Sequence, residues 1–205
     1  MGFYARWLLP PLLDLAMRHR RLACYRRRAI AAARGSVLEI GVGSGLNLPL
    51  YGAAVRRIVG VDPAAELLAR AQAKAATVRP PVVLVRGSAE ALPIAAAVID
   101  TVVTTWTLCS VADAPRALRE MRRVLAPGGR LIFVEHGLAP EAGVAAWQRR
   151  LTPYWRRIAG GCHLDRPMDA LIREAGFAIA ELRTGYMAGP RPMTFMYEGS
   201  AAPEC

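Results

Sequence analysis

From Ser36 onward, apolar runs of four to seven residues alternate with stretches whose apolar positions recur every three to four residues. The first kind predicts strands buried on both faces, and the second predicts amphipathic helices. Strands are predicted at 37–40, 58–61, 82–85, 99–105 and 131–135. Helices are predicted at 64–76, closed by Pro80-Pro81, and at 114–125, closed by Pro127-Gly128-Gly129. Residues 141–158 read as helical with a break at Pro153, a helix at 168–175 ends at Gly176, and strands follow near 177–183 and 193–197. This alternation predicts an α/β fold, a parallel sheet with helices on both faces. Ahead of it, residues 12–33 read as one helix opened by Pro10-Pro11. Leu12, Leu15, Ala16, Leu22, Ala23, Ala29, Ile30 and Ala33 form its apolar stripe, which His19 and Arg26 interrupt. The chain thus divides into a basic amphipathic arm, 1–34, and a single domain, 35–205.

Composition narrows this further. With 54% hydrophobic and 21% charged residues, most of the chain is folded rather than disordered. The 205 residues support one core and not two independent enzyme domains. The net charge of +11 is unevenly spread: residues 1–34 carry eight arginines against the single acid Asp14. A second basic run holds Arg149, Arg150, Arg156 and Arg157. Such runs suit anionic lipid or nucleic acid, and equally a solvated face in an arginine-rich chain. The apolar stretch from Trp7 to Met17 is too short to span a bilayer and lacks a convincing signal-peptide cleavage site. Arg6 stands where a myristoylation signal has Ser or Thr. The cysteines, at 24, 109, 162 and 205, form no CxxC pair, so their spacing signals neither a zinc site nor a disulfide framework, and no metal is expected. The expected compartment is the cytoplasm, with the arm suited to peripheral contact at the inner membrane face.

The densest chemistry lies in Val37-Leu38-Glu39-Ile40-Gly41-Val42-Gly43-Ser44-Gly45. A strand runs into three glycines at alternate positions, which lets a ligand approach the backbone closely. At the end of the first strand of an open α/β sheet, this is where a nucleotide-like cofactor sits. Leu46 occupies the last glycine position of a dinucleotide fingerprint, which disfavours NAD and suits a nucleoside cofactor without phosphates. Asp62 follows Gly41 by 21 residues, at the end of the second strand in Val59-Gly60-Val61-Asp62-Pro63. An acid there can accept hydrogen bonds from both ribose hydroxyls. Three further stations follow: Arg86-Gly87-Ser88-Ala89-Glu90-Ala91-Leu92-Pro93, Asp100 to Trp106, and Arg123 to Arg130.

Together, over residues 36–135, these five motifs resemble the class I S-adenosylmethionine-dependent methyltransferases. The resemblance implies a Rossmann-like seven-stranded sheet with an antiparallel C-terminal hairpin. It implies S-adenosylmethionine as cofactor and S-adenosylhomocysteine as product. Gly41, Gly43 and Gly45, following Glu39, would pass beneath the amino-acid part of the cofactor. Asp62, with Pro63 beside it, would bind the ribose, and Ser88, Ala89 and Glu90 would lie by the adenine. Many relatives have Asp where this chain has Ser88. Thr105 and Trp106 would face the methyl group or the acceptor.

Thr107-Leu108-Cys109-Ser110-Val111, Glu135-His136, Trp147-Gln148, Pro153-Tyr154-Trp155 and Gly161-Cys162-His163-Leu164 are similar to the membrane-associated alkyl-thiol methyltransferases. Leu46-Asn47-Leu48-Pro49-Leu50-Tyr51 is similar to bacterial phosphatidylethanolamine N-methyltransferases. The expected activity is therefore methylation of a small or lipophilic acceptor, a thiol ahead of a phospholipid amine. A non-catalytic S-adenosylmethionine- or membrane-binding protein is the rival of a different class. His136, following the fifth strand with an ordinary pKa near neutrality, is the candidate base. His163 and Asp165 are weaker candidates at the acceptor site, and Cys109 reads as a small hydrophobe beside the pocket. Tyr4 and Trp7 suit either the cofactor or a lipid interface. Trp147, Tyr154 and Trp155 interleave with arginines, as in a lid or an interfacial surface. The fourth strand lacks the Asn/Asp-Pro-Pro-aromatic ending of base-amine methyltransferases, so nucleic acid is not expected as substrate. Nothing in the sequence indicates an oligomeric state.

Overall fold

The computed structural model describes residues 9–204. The expectations for Tyr4, Arg6 and Trp7 lie outside them. The first two helices are α1 (Leu9–Met17) and α2 (Arg20–Ala31). The single helix expected over 12–33 is thus two. His19 leaves helical geometry at ψ 136° and its Nδ1 accepts the Arg21 N–H, capping α2. The residue that interrupted the apolar stripe is the one that breaks the helix.

The domain proper runs β1 (Gly35–Ile40), β2 (Val55–Asp62), α3 (Ala65–Ala75), β3 (Val82–Arg86), β4 (Ile99–Thr105), α4 (Ala114–Val124) and β5 (Leu125–His136). It continues through α5 (Ala142–Ile158), α6 (Met168–Glu174), β6 (Phe177–Tyr186) and β7 (Phe195–Pro203). The seven strands lie in the order β3-β2-β1-β4-β5-β7-β6. The first five are parallel, and β7 pairs antiparallel with both β5 and β6. The α/β sheet with an antiparallel C-terminal hairpin is therefore present as expected.

Several elements differ in extent from the hydropathy reading, three of them for an identifiable reason. β5 starts at Leu125 rather than 131, because Ala126–Gly129 bulge out between Leu125, opposite Ile99, and Arg130, opposite Thr101. β7 starts after a 3₁₀ turn at Arg191–Met193 and runs to Pro203. Its polar centre, Glu198-Gly199-Ser200, hides an interior strand bonded on both sides. Helix α5 continues through Pro153 instead of breaking. The carbonyl that loses its partner belongs to the exposed Arg149, while Ala145, Gln148 and Thr152 anchor the opposite face.

Alternation along the strands divides the core in two. Leu38, Ile40, Val102, Leu131 and Phe133 meet Leu118 and Met121 of α4 and Met168 and Ile172 of α6. Val37, Val103, Ile132 and Val134 point the other way, toward Ala29 and Ile30 of α2 and Ala71 of α3. Helix α2 is thus packed on the sheet. The strand order reverses between β1 and β4, which opens a crevice at their carboxyl ends.

Candidate functional site

The candidate cofactor residues and His136 fall at that carboxyl edge. Glu39 and the glycines end β1, Asp62 and Pro63 end β2, Ser88–Glu90 follow β3, Thr105 ends β4 and His136 ends β5.

Gly41, Gly43 and Gly45 all have positive φ, at 69°, 54° and 76°. They serve different ends. A Cβ on Gly41 would lie 2.2 Å from Thr107 Oγ1, and one on Gly45 would meet Leu48 Cδ1 at 2.8 Å. Both glycines let the protein pack against itself. A Cβ on Gly43 would approach only the Gly41 carbonyl, at 3.9 Å. Gly43 is the bare stretch of backbone where a ligand can lie. We therefore expect Gly41→Ala to lower the thermal midpoint strongly. Gly43→Ala should lower it less, by roughly 2–8 °C for the about 1–2 kcal/mol of a left-handed alanine, while weakening S-adenosylhomocysteine binding. Differential scanning calorimetry with and without that ligand separates the two; equal binding by Gly43→Ala and wild type would remove the loop from the site.

Asp62 holds this loop. Its Oδ2 accepts the Gly43 N–H and its Oδ1 the Ala64 N–H, both at 2.9 Å. Burial pushes its pKa up, against the two backbone donors. Each oxygen keeps a lone pair for a further donor, which suits a vicinal diol.

Beneath the loop lies a buried polar network that the sequence reading did not assemble. Glu39 Oε1 accepts from Asn47 Nδ2 at 2.9 Å and Oε2 from the Tyr51 hydroxyl at 2.8 Å. Arg26 Nη1 donates to Asn47 Oδ1 at 3.0 Å and Asn47 Nδ2 to Thr105 Oγ1 at 3.1 Å. Burial holds the Glu39 carboxyl at about 7. The Arg26 guanidinium also lies 4.8 Å from the Trp106 ring centroid, while Tyr25 meets that ring edge-on. Trp106 sits at φ 51°, a strained conformation for a large residue. Its N–H bonded to Val134 O at 2.8 Å and the next N–H bonded to Glu135 fix it there. Helix α1 reaches the loop from above: Asp14 accepts from the Ser44 hydroxyl and from Arg18, and Lys74 Nζ donates to the Ser44 carbonyl.

After β3, Ser88 and Glu90 bond to each other, and Glu90 Oε1 accepts the Asp113 N–H at 3.0 Å. That ties the loop to the start of α4. At the other end, Glu135 is fully buried and burial pushes its pKa up to about 8. Its carboxylate accepts Thr104 Oγ1 at 2.9 Å and the N–H groups of Thr107, Leu108 and Cys109 at 3.0, 3.0 and 3.3 Å. It thereby moulds the loop after β4. His136 Nε2 faces Cys162 Sγ at 2.8 Å, with Cys109 beside them. His163 and Asp165 form a loose pair at 3.9 Å.

Arg26 and Cys162 are the residues that the sequence reading missed. Arg26 carried a signal, as a charge inside an apolar stripe. Cys162 stood only within a motif similar to the alkyl-thiol methyltransferases, with no role assigned.

The pieces fit a cationic nucleoside with an amino-acid tail: a cradle that a Cβ at Gly43 would fill, and the Asp62 carboxylate beside it with room for a further donor on each oxygen. Comparison with known proteins agrees. The family described as a methyltransferase domain matches residues 38–133. A thiol S-methyltransferase, TMT1B of Rattus norvegicus, is 34% identical over 72% of this chain. The chain spans 62% of the length of that protein. A phosphatidylethanolamine N-methyltransferase of Cereibacter sphaeroides is 32% identical over 76% of this chain and 78% of its own. Among solved structures, a Haloferax volcanii methyltransferase complexed with the Trm112 activator superposes with TM-score 0.74 over 100% of this chain and 99% of its own, at 18% identity.

Proposed function

Since this chain belongs to the class I S-adenosylmethionine-dependent methyltransferases, we propose that it methylates a small or lipophilic acceptor, with a thiol as the preferred class. When bound, S-adenosylmethionine supplies a methyl group already activated on a sulfonium sulfur. The protein's own work is then to bind, orient and deprotonate. Gly43 and Asp62 hold the cofactor, Asp62 at the ribose, with Pro63 beside it and Ser88, Ala89 and Glu90 by the adenine. Glu39 and Asn47 stiffen the loop from beneath, and Thr105 and Trp106 border the acceptor.

The observation that carries the thiol reading is the side-chain group after β4 and β5: Cys109, His136 and Cys162, drawn together at the sheet's carboxyl edge. We assign the acceptor's proton to this group through His136. A thiol, with an ordinary pKa of about 8.5, needs only slight help to ionise.

Exposed apolar side chains on two helices favour the alternative, the amine of phosphatidylethanolamine. Leu12 and Leu15 of α1 and Trp147, Tyr154 and Ile158 of α5 are exposed among arginines. We include peripheral contact of residues 1–34 with anionic lipid in the proposal. No helix of the described residues is long and apolar enough to cross a membrane.

The test follows label from methyl-tritiated S-adenosylmethionine in a mixture of phosphatidylethanolamine vesicles and a small alkyl thiol. We expect the label in the extractable thioether. Label in the lipid fraction would replace the thiol by the amine.

A further inference from the structure

Cys109, His136 and Cys162 come from three separate segments: the loop after β4, the end of β5 and the loop joining α5 to α6. One ligand atom from each lies within 4.8 Å of the others. The two cysteines are buried and the histidine half-buried. In a tetrahedral zinc site, metal–ligand bonds of about 2.3 Å to sulfur and 2.0–2.1 Å to nitrogen set two sulfurs and a nitrogen roughly 3.5–3.8 Å apart. The group here, with one pair at 2.8 Å, brackets that spacing. Side-chain adjustments of about an ångström would close it around an ion.

The backbone around the group is braced from several directions. Glu135 holds the N–H groups from Thr107 to Cys109. Arg166 donates to the carbonyls of Leu108 and, at 2.7 Å, Val111. The His163 N–H bonds the Cys109 carbonyl at 2.7 Å, joining the two cysteine loops. Two neighbouring thiols alone would suit a disulfide, but a disulfide has no use for an imidazole set against one of its sulfurs. A metal ion does.

We propose that Cys109, His136 and Cys162 bind a zinc ion, and that its fourth position takes the acceptor thiol as a thiolate. Three protein ligands are the number found where zinc keeps a position open for substrate. Two thiolates and one imidazole are the soft donor set that selects such an ion. On binding, the acceptor's S–H bond breaks, its proton passes to solvent, and the sulfur's electron pair forms the metal–sulfur bond. The acceptor is then held ionised at neutral pH on the sheet edge that also carries the candidate cofactor residues. His136 then serves as a ligand of the ion that ionises the thiol and takes no proton itself. The metal site stands on the cluster alone; the identity of its fourth ligand rests on the proposed function.

The experiment titrates Co(II) into chelator-treated, full-length protein and records its electronic spectrum. The expected result is a one-equivalent endpoint, with the visible bands of a tetrahedral ion and sulfur-to-cobalt charge transfer. Cys109→Ser and Cys162→Ser should each weaken the charge transfer, and Cys24→Ser should leave it intact. S-adenosylhomocysteine binding reports whether each variant is folded. An octahedral or absent signal in wild type, or charge transfer unchanged in both Cys109→Ser and Cys162→Ser, overturns the site. That wild-type result decides even if the variants fail to fold. Adding an alkyl thiol should then shift the visible bands, while phosphoethanolamine should not. A tetrahedral spectrum indifferent to thiol overturns thiol ligation and leaves the ion. Tritium in lipid, with the cobalt signal present, would instead overturn the thiol function.

Discussion

Arg26→Met will destabilise the protein by roughly 1–3 kcal/mol, for the buried Asn47 side-chain oxygen left without its donor and the buried Glu39 carboxylate left without the nearby charge. Arg26 is buried, donates to Asn47 and lies against Trp106, and its charge faces the Glu39 carboxylate. Methionine fills similar volume and keeps contact with the indole, so the loss reports the charge rather than a cavity. Glu39 then retains Asn47 and Tyr51 as donors, with Asp62 as a repelling neighbour. The loss should depend on pH. In wild type, burial raises the Glu39 carboxyl from an ordinary 4.5 to about 7. Below pH 4.5 the carboxyl is protonated in both states and costs nothing. From 4.5 to about 7 the folded form binds more protons, so stability falls as pH rises, by about 3 kcal/mol in all. Without Arg26 the decline should extend to higher pH; Glu39→Gln should flatten it. Urea unfolding at pH 5 and pH 8 measures both. If Arg26→Met has the wild-type midpoint at pH 8, the network contributes nothing.

Asp62→Ala should weaken binding of S-adenosylmethionine by about five- to a hundredfold, or roughly 1–3 kcal/mol, for the loss of charged hydrogen bonds to ribose hydroxyls. The same carboxylate holds the Gly43 and Ala64 N–H groups, so the cradle loosens together with its ligand contact. Asp62→Asn keeps an acceptor for one of those donors and should fall between wild type and alanine. Isothermal titration with S-adenosylhomocysteine reads all three. Affinity that survives Asp62→Ala would take Asp62 out of the site.

Where a residue's role follows from near neighbours in the chain, the sequence reveals it. The periods of two and three to four, the glycines that turn the chain after β1 and the acid that ends β2 are local, and the sheet they imply is the one observed. Even the faults in the pattern were informative: His19 breaks the helix and Arg26 turns inward. The polar centre of β7 concealed a strand, because pairing on both sides supplied what hydropathy did not show.

By itself, then, the sequence determined an α/β methyltransferase sheet and the strand ends that carry its cofactor residues, because those depend on short-range periodicity and turn chemistry. Only the tertiary structure decided that Arg26 lies in the network of Glu39 and Asn47, and that Cys109, His136 and Cys162 meet. Those residues lie on elements far apart in the chain. Their meeting depends on which strands pair and how loops cross the sheet's edge, and no local spacing encodes that.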